Sequence, residues 1–183
     1  MELLLATRSA HKVQEIRTIL SGIPRLTVLD LDDIGLEWRD EEEALEPFDT
    51  FEENAGSKAE YFHARTGLPT VADDSGLEVD ALGGAPGVRS KRFAPVEGLT
   101  GHKLDQANNN YLVERLGALE LEKRTGQYVC VAALLGFASQ MIVTRGEARG
   151  LILTEPRGDA GFGYDPYFFE PDLDMTFAEL HPD

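Results

Sequence analysis

The stretch Pro69-Thr70-Val71-Ala72-Asp73-Asp74-Ser75-Gly76-Leu77 joins a short apolar run directly to two carboxylates, a hydroxyl and a glycine. Pro69 to Ala72 reads as the end of a buried strand. In open α/β sheets, ligands gather just beyond the carboxyl ends of strands. Carboxylates placed there can hold a hard cation or take a proton from water. If the chain stays extended through the pair, neighbouring side chains face opposite ways. Asp73 and Asp74 would then have different jobs, one toward metal and water and the other fixing the loop. The competing reading is an Asx-type turn, because Asp, Ser and Gly all favour turns.

Outward from this stretch the pattern alternates. Glu2 to Ala6 reads as a buried first strand, and Val13, Ile16 and Leu20 keep helical spacing until Gly22 and Pro24. Leu26 to Leu31 is a second strand. Thr50-Phe51-Glu52-Glu53 matches a capping box and opens a helix to about Thr66. Gly83 to Gly87 is loop and Lys103 to Leu116 helix. Gln127 to Phe137 and Gln140 to Ala148 are strands close enough for a hairpin around Ala138-Ser139. Gly158 to Gly163 is a glycine-rich loop, and Thr176 to Glu179 is a second capping box. The pattern predicts a mixed α/β sheet.

The 183 residues fit one domain, of one lobe or two, and 42% hydrophobic content suits a packed core. With 33 acidic and 17 basic side chains the formal charge is −16, which repels a polyanion such as DNA. A small anion can still bind where a metal and a few local cations mask the field. One cysteine, Cys130, allows no intrachain disulfide and fits a reducing compartment. It reads as a core residue. The N-terminus carries an acid where a signal peptide carries positive charge, and no run approaches a membrane span. A soluble cytoplasmic protein is expected.

Three further segments carry chemistry. Thr7-Arg8-Ser9-Ala10-His11-Lys12 lies between the first strand and first helix, where backbone N–H groups favour an anion. The plain alternative is a helix start capped by Ser9. Against it, Arg8 and Lys12 sit at the positive end of the helix dipole, a conflict that an anionic ligand would remove. Asp40 to Glu46 is an acidic run, mostly a solvated face, from which one or two carboxylates at best bind a cation. Gly158 to Pro166 places glycines beside Phe162 and Tyr164, which lets backbone approach a ligand and an aromatic stack on a base. The alternative returns both rings to the core. Trp38 reads as core or pocket, and the four histidines form no metal-ligand spacing. The Walker A, GxSxG and HExxH patterns are absent.

Taken in order, these motifs resemble the inosine/xanthosine triphosphate pyrophosphatases. The matching segments are Thr7, Ser9 and Lys12; Thr50 to Ala55; Ala72 to Leu77; Leu82 to Gly87; and Gly161-Phe162-Gly163-Tyr164-Asp165-Pro166. The resemblance implies an elongated two-lobed α/β domain over residues 1–183 with a central cleft, a homodimer, and Mg²⁺-dependent cleavage of a nucleoside triphosphate to monophosphate and pyrophosphate. ITP, dITP and XTP are the implied substrates, with no nucleic-acid or membrane partner. Carried over by position, Thr7, Arg8, Ser9, Ala10, His11 and Lys12 match the triphosphate site. Asp74 matches the general base and, with Glu46, the metal ligands. Ser75 matches a substrate contact, and Phe162, Gly163, Tyr164 and Asp165 the nucleoside pocket. The family has Gly-Asn where this chain has Arg8-Ser9, and an acidic pair around Glu46. It also continues past the Thr176 helix to a lysine and a Ser-His-Arg segment near the base, whereas this chain stops at His181-Pro182-Asp183. Weaker binding and selectivity are therefore expected of the 183-residue form. A nucleotide-binding but inactive protein, and a Maf-like or other phosphohydrolase, are the competing expectations.

Overall fold

The computed structural model describes residues 1–180. The expectation drawn from the chain's end falls on His181, Pro182 and Asp183, which lie outside them. The strands are β1 (Glu2–Leu5), β2 (Thr27–Leu29), β3 (Thr70–Val79), β4 (Thr125–Leu135), β5 (Ile142–Ile152), β6 (Phe168–Glu170) and β7 (Met175–Thr176). The helices are α1 (Ala10–Leu20), α2 (Phe51–Thr66) and α3 (His102–Leu116), with short 3-10 turns elsewhere. The seven strands form the expected mixed sheet, in the order β2-β1-β3-β4-β5-β6-β7. β1 runs parallel to β2 (Leu3 opposite Val28) and to β3 (Leu4 opposite Thr70). β6 runs antiparallel to β5 and β7. No described helix is long and apolar enough to cross a membrane.

The chain divides into two compact units, the first of residues 1–74 and 130–146, the second of 75–129 and 147 onward. In the first, Leu3, Leu4, Leu5 and Ala6 of the β1 segment are buried, as their unbroken apolar run requires of a parallel strand. α2 begins as read: Thr50 is the N-cap, its hydroxyl accepts from the Glu53 N–H, and the helix ends at Gly67 in the left-handed region. Its buried stripe is Phe51, Ala55, Ala59 and Phe62. In the second unit Leu77, Val79, Leu112, Leu116, Ile152, Tyr164 and Phe168 form one apolar cluster. The Thr176 capping box is complete, but it opens a 3-10 turn, Phe177–Glu179.

Two expectations are corrected. β3 does not end at Ala72; it starts at Thr70 and runs to Val79, so Asp73 and Asp74 lie inside a strand rather than beyond one or in a turn. The residues after the pair explain this, since Leu77 and Val79 are fully buried and reward continued extension. Cys130 is exposed on β4, not core. The short strands β6 and β7 were not foreseen, because three and two residues leave too little periodicity to read.

β5 and β6 approach closely at Gly150. A Cβ there would lie 2.5 Å from the Phe169 carbonyl oxygen and 2.7 Å from the Phe168 ring. Gly150→Ala is therefore expected to cost about 1–3 kcal/mol by overpacking, read as a lower urea midpoint. An unchanged midpoint would contradict the register that sets Leu151 opposite Phe169.

Candidate functional site

Adjacent residues of an extended strand send side chains to opposite faces, and β3 does this with its two acids. Asp73 meets Lys12 of α1, whose ammonium donates to Oδ2. Asp74 meets Asn54 of α2, whose Nδ2 donates to Asp74 Oδ2 at 3.0 Å. Both acids are buried, at 6% and 7% exposure. Burial opposes the Lys12 charge, but Asp73 outweighs it through attraction and a hydrogen bond, and the Lys12 pKa is raised. Burial also raises the Asp74 pKa; Lys58 pulls it down, Glu46 pushes it up, and Asn54 and Lys12 lower it further.

Two residues here escaped the sequence reading. Asn54 is 1% exposed; its Oδ1 accepts from the Phe48 N–H and its Nδ2 donates to the Phe48 carbonyl as well as to Asp74. Lys58 lies one turn later on the same helical face and donates to Glu46 Oε1. Both are polar residues near the buried stripe of α2, and that break in apolar periodicity was the available signal. Together Asp74, Asn54, Lys58 and Glu46 form one network with Lys12 and Asp73 beside it.

The Thr7 to Lys12 segment is a well-formed helix start. Ser9 is the N-cap of α1, its N–H donates to Thr7 Oγ1 at 3.2 Å, and its hydroxyl accepts from the Lys12 N–H at 3.5 Å. Ala10 and His11 lie exposed on the first turn. The conflict between Arg8, Lys12 and the helix dipole is settled internally. Arg8 forks onto both oxygens of Glu42, at 3.0 and 2.9 Å, and donates to the Leu36 carbonyl. The Glu42 bond is the main reason the Arg8 pKa is raised. Arg65 also reaches Glu42, at 3.5 Å. Arg8 thus ties the loop to the acidic 3-10 turn Asp40–Ala44. A concavity of about 650 Å³ opens beside Thr7, Arg8, Ala10 and Arg17, but neither Lys12 nor Asp74 lines it. The dominant chemistry therefore lies with the carboxylate network rather than in that hollow. Trp38 is half exposed.

In the second unit, Ser75 is partly buried on β3. The residues Phe162 to Asp165 form a tight loop around Asp165. Its Oδ2 accepts from the Phe162 N–H and its Oδ1 from the Tyr128 hydroxyl, each at 2.8 Å. Burial raises the Asp165 pKa, and these two donors lower it. Tyr164 turns inward, 4% exposed, with its hydroxyl on the Ser90 carbonyl, whereas Phe162 stays 37% exposed. Only one of the two aromatics is thus available to a ligand. Burial also drives the Tyr164 and Tyr128 hydroxyl pKa values up.

Among the described residues no three His, Cys, Asp or Glu side chains converge as a metal-ligand set. The pair Asp74 and Glu46 still fits a hard cation: both offer oxygen, and each raises the cost of the other's charge. Mg²⁺ is commonly held by one or two carboxylates, with water and phosphate oxygens completing its shell.

Carboxylates and lysines gathered about one buried strand of a mixed α/β sheet are side chains able to hold a cation and an anionic group together. The chain belongs to the Ham1 family, whose family model matches residues 3–183. It is 46% identical over 180 residues to a dITP/XTP pyrophosphatase of Frankia alni, covering 98% of this chain and 86% of that protein. It is 44% identical to one from Geobacter sulfurreducens, covering 97% and 84%. Among solved structures it is similar to a HAM1 protein from Coxiella burnetii, with TM-score 0.82, 34% identity and coverage of 100% and 88%.

The raised Asp74 pKa carries a sign. The charged form is penalised in the fold, so Asp74 stabilises only when protonated and weakens the metal-free protein once pH rises above the unfolded carboxylate value of about 4. Asp74→Asn in EDTA should unfold at a higher temperature than the parent at pH 7, with the gap closing as pH falls toward 4. A less stable variant at pH 7 would reverse the assigned cause.

Proposed function

We propose that the chain hydrolyses purine nucleoside triphosphates of the ITP, dITP and XTP type to the monophosphate and pyrophosphate, removing non-standard nucleotides from the pool. The observation that supports this most is Asp74, buried yet held against Asn54, with Lys58, Glu46 and Lys12 acting on its charge. The names of its relatives point the same way.

The chemistry follows from that network. Lys12, at the start of α1, binds phosphate as a point charge where the helix dipole also favours an anion. Lys58, next to Asp74 and Glu46, is the second cation for the phosphate chain. Mg²⁺ held by Asp74 and Glu46 would neutralise phosphate oxygens and polarise water. Asp74 accepts the proton of the attacking water. The water oxygen bonds to the α-phosphorus, the bond to the bridging oxygen breaks, and pyrophosphate leaves with that electron pair. Asn54 holds the carboxylate in line. Ser75 contacts the substrate, Thr7 and Ser9 shape the loop, and Phe162 lies against the base. Donors facing a 6-keto oxygen reject a 6-amino base, because donor would then oppose donor.

Residues 1–183 act as one pyrophosphatase domain in this reading, and its single cysteine and acidic composition suit the cytoplasm. In this reading the protein is a homodimer whose second copy covers the β4–β5 hairpin, where Phe137, Ile142 and Val143 are exposed at 52, 45 and 43%. A double Phe137→Ser, Ile142→Ser variant should elute as a monomer; an unchanged dimer would place the interface elsewhere.

The assay is phosphate product analysis with ITP, XTP, dITP, ATP and GTP, with and without Mg²⁺. Pyrophosphate from ITP with Mg²⁺, and little from ATP, is expected. Asp74→Asn should lose about 10²–10⁴-fold in turnover while folded, the usual scale for a general base. Orthophosphate release would point to a phosphomonoesterase, a pyrimidine preference to a Maf-like enzyme, and tight nucleotide binding without turnover to an inactive form.

A further inference from the structure

α3 carries two consecutive buried asparagines, Asn108 and Asn109, at 2% and 5% exposure. Asn108 is fully used. Its Oδ1 accepts from the Phe93 and Ala94 N–H groups, and its Nδ2 donates to the Ser90 and Lys91 carbonyls. It clasps the segment after the 3-10 turn Gly87–Arg92 and needs no further explanation. Asn109 is different. Its Nδ2 donates to the Gly163 carbonyl at 2.8 Å, but its Oδ1 is buried and meets no donor among the described residues. A buried amide with one half unsatisfied is a poor stabiliser, and an apolar residue of the same size would avoid that loss. What only the amide offers is its bond to the glycine loop.

That bond falls at an informative place. Gly163 has φ +59°, so its peptide orientation is one that side-chain-bearing residues rarely adopt. Immediately before it stands Phe162, whose N–H is pinned by Asp165. Immediately after it stands Tyr164, locked in the core. Phe162, the exposed member, therefore sits between two polar anchors, Asp165 on its own N–H and Asn109 on the next carbonyl. We infer that Asn109 is a positioning residue: it fixes the backbone that aims Phe162, and through that ring sets how tightly the nucleoside is held. The inference rests on the reading of Phe162 as a base contact and goes beyond it, because Asn109 itself lies on another element and bonds to the loop at the Gly163 carbonyl.

The test compares Asn109→Leu, Phe162→Ala and the double variant, with ITP and Mg²⁺. Asn109→Leu should keep or raise the melting temperature while raising KM about tenfold, the scale of one lost hydrogen bond, with kcat changed far less. A loss by destabilisation alone would lower the melting temperature and would not split KM from kcat. Because the effect passes through the ring, Asn109→Leu should add little in the Phe162→Ala background, the non-additivity expected of residues in one chain of contacts. Hydrogen exchange at residues 161–165 should quicken in Asn109→Leu, with α3 unchanged. If Leu prevents folding, Asn109→Asp keeps the shape and sets an acceptor against the Gly163 carbonyl, with the same pattern expected. A raised KM in Phe162→Ala but not in either Asn109 variant would overturn the inference and leave the loop reading standing. An unchanged KM in Phe162→Ala would remove the loop reading and the inference with it. Additive effects in the double variant would also overturn it.

Discussion

Everything at the proposed site depends on extending β3 through two adjacent acids. A carboxylate taken out of water without a partner costs several kcal/mol, so a strand carrying Asp73 and Asp74 at 6% and 7% exposure must have a donor on each face. β1–α1 supplies one, through Lys12 placed just after the Ser9 cap. α2 supplies the other through Asn54, with Lys58 one turn further on acting on the same charge. The start of α1 and the start of α2 are thus fixed by electrostatics as much as by apolar packing. α1 in particular has no fully buried residue, and its place beside β3 owes correspondingly more to Lys12.

The helices and long strands were legible because their punctuation is chemical: Thr50, Gly67 and Ser9 each have a side chain or backbone need that only one geometry meets. Asp73 and Asp74 stood out in the sequence as a candidate site, but their place in the strand was misread. Asp, Ser and Gly favour turns locally, and nothing in a window of that length shows that Leu77 and Val79 will be buried behind them. Arg8 was misjudged for a similar reason: its partner Glu42 is distant in sequence, so the helix-start conflict looked like a call for a ligand. Asn54 and Lys58 were missed because their role exists only once α2 lies against β3. Cys130 was misread because an apolar neighbourhood in sequence says nothing of which face a strand residue takes.

The glycine loop follows a different rule. Its aromatics had two readings, ligand contact or core, and the structure divides them: Tyr164 takes the core and Phe162 the surface. Asp165 makes the division possible by consuming the Phe162 N–H and the Tyr128 hydroxyl, so the loop is rigid without being apolar. Features that cost stability concentrate around such groups. Burial opposes the charge of Asp74, and the Asn109 oxygen meets no donor among the described residues. On the proposed function, stability that folding would otherwise retain is given up for a fixed charge and a fixed carbonyl.

Charge balance then constrains how a triphosphate can enter. Lys12 and Lys58, the cations best placed for phosphate, already have carboxylate partners in Asp73 and Glu46. The chain as a whole carries −16. A bare triphosphate would compete with those carboxylates for the same two ammonium groups, and the surrounding field would oppose it. A divalent cation changes this. Oxygen ligation by Asp74 and Glu46 would satisfy both carboxylates, release Lys58 from Glu46 for phosphate, and halve the charge that the nucleotide brings. Nucleotide and metal binding are on this account coupled through Lys58. On the proposed function Lys58 would cease to be a structural counter-ion once Glu46 is taken up, and the site would exchange an internal ion pair for one with substrate.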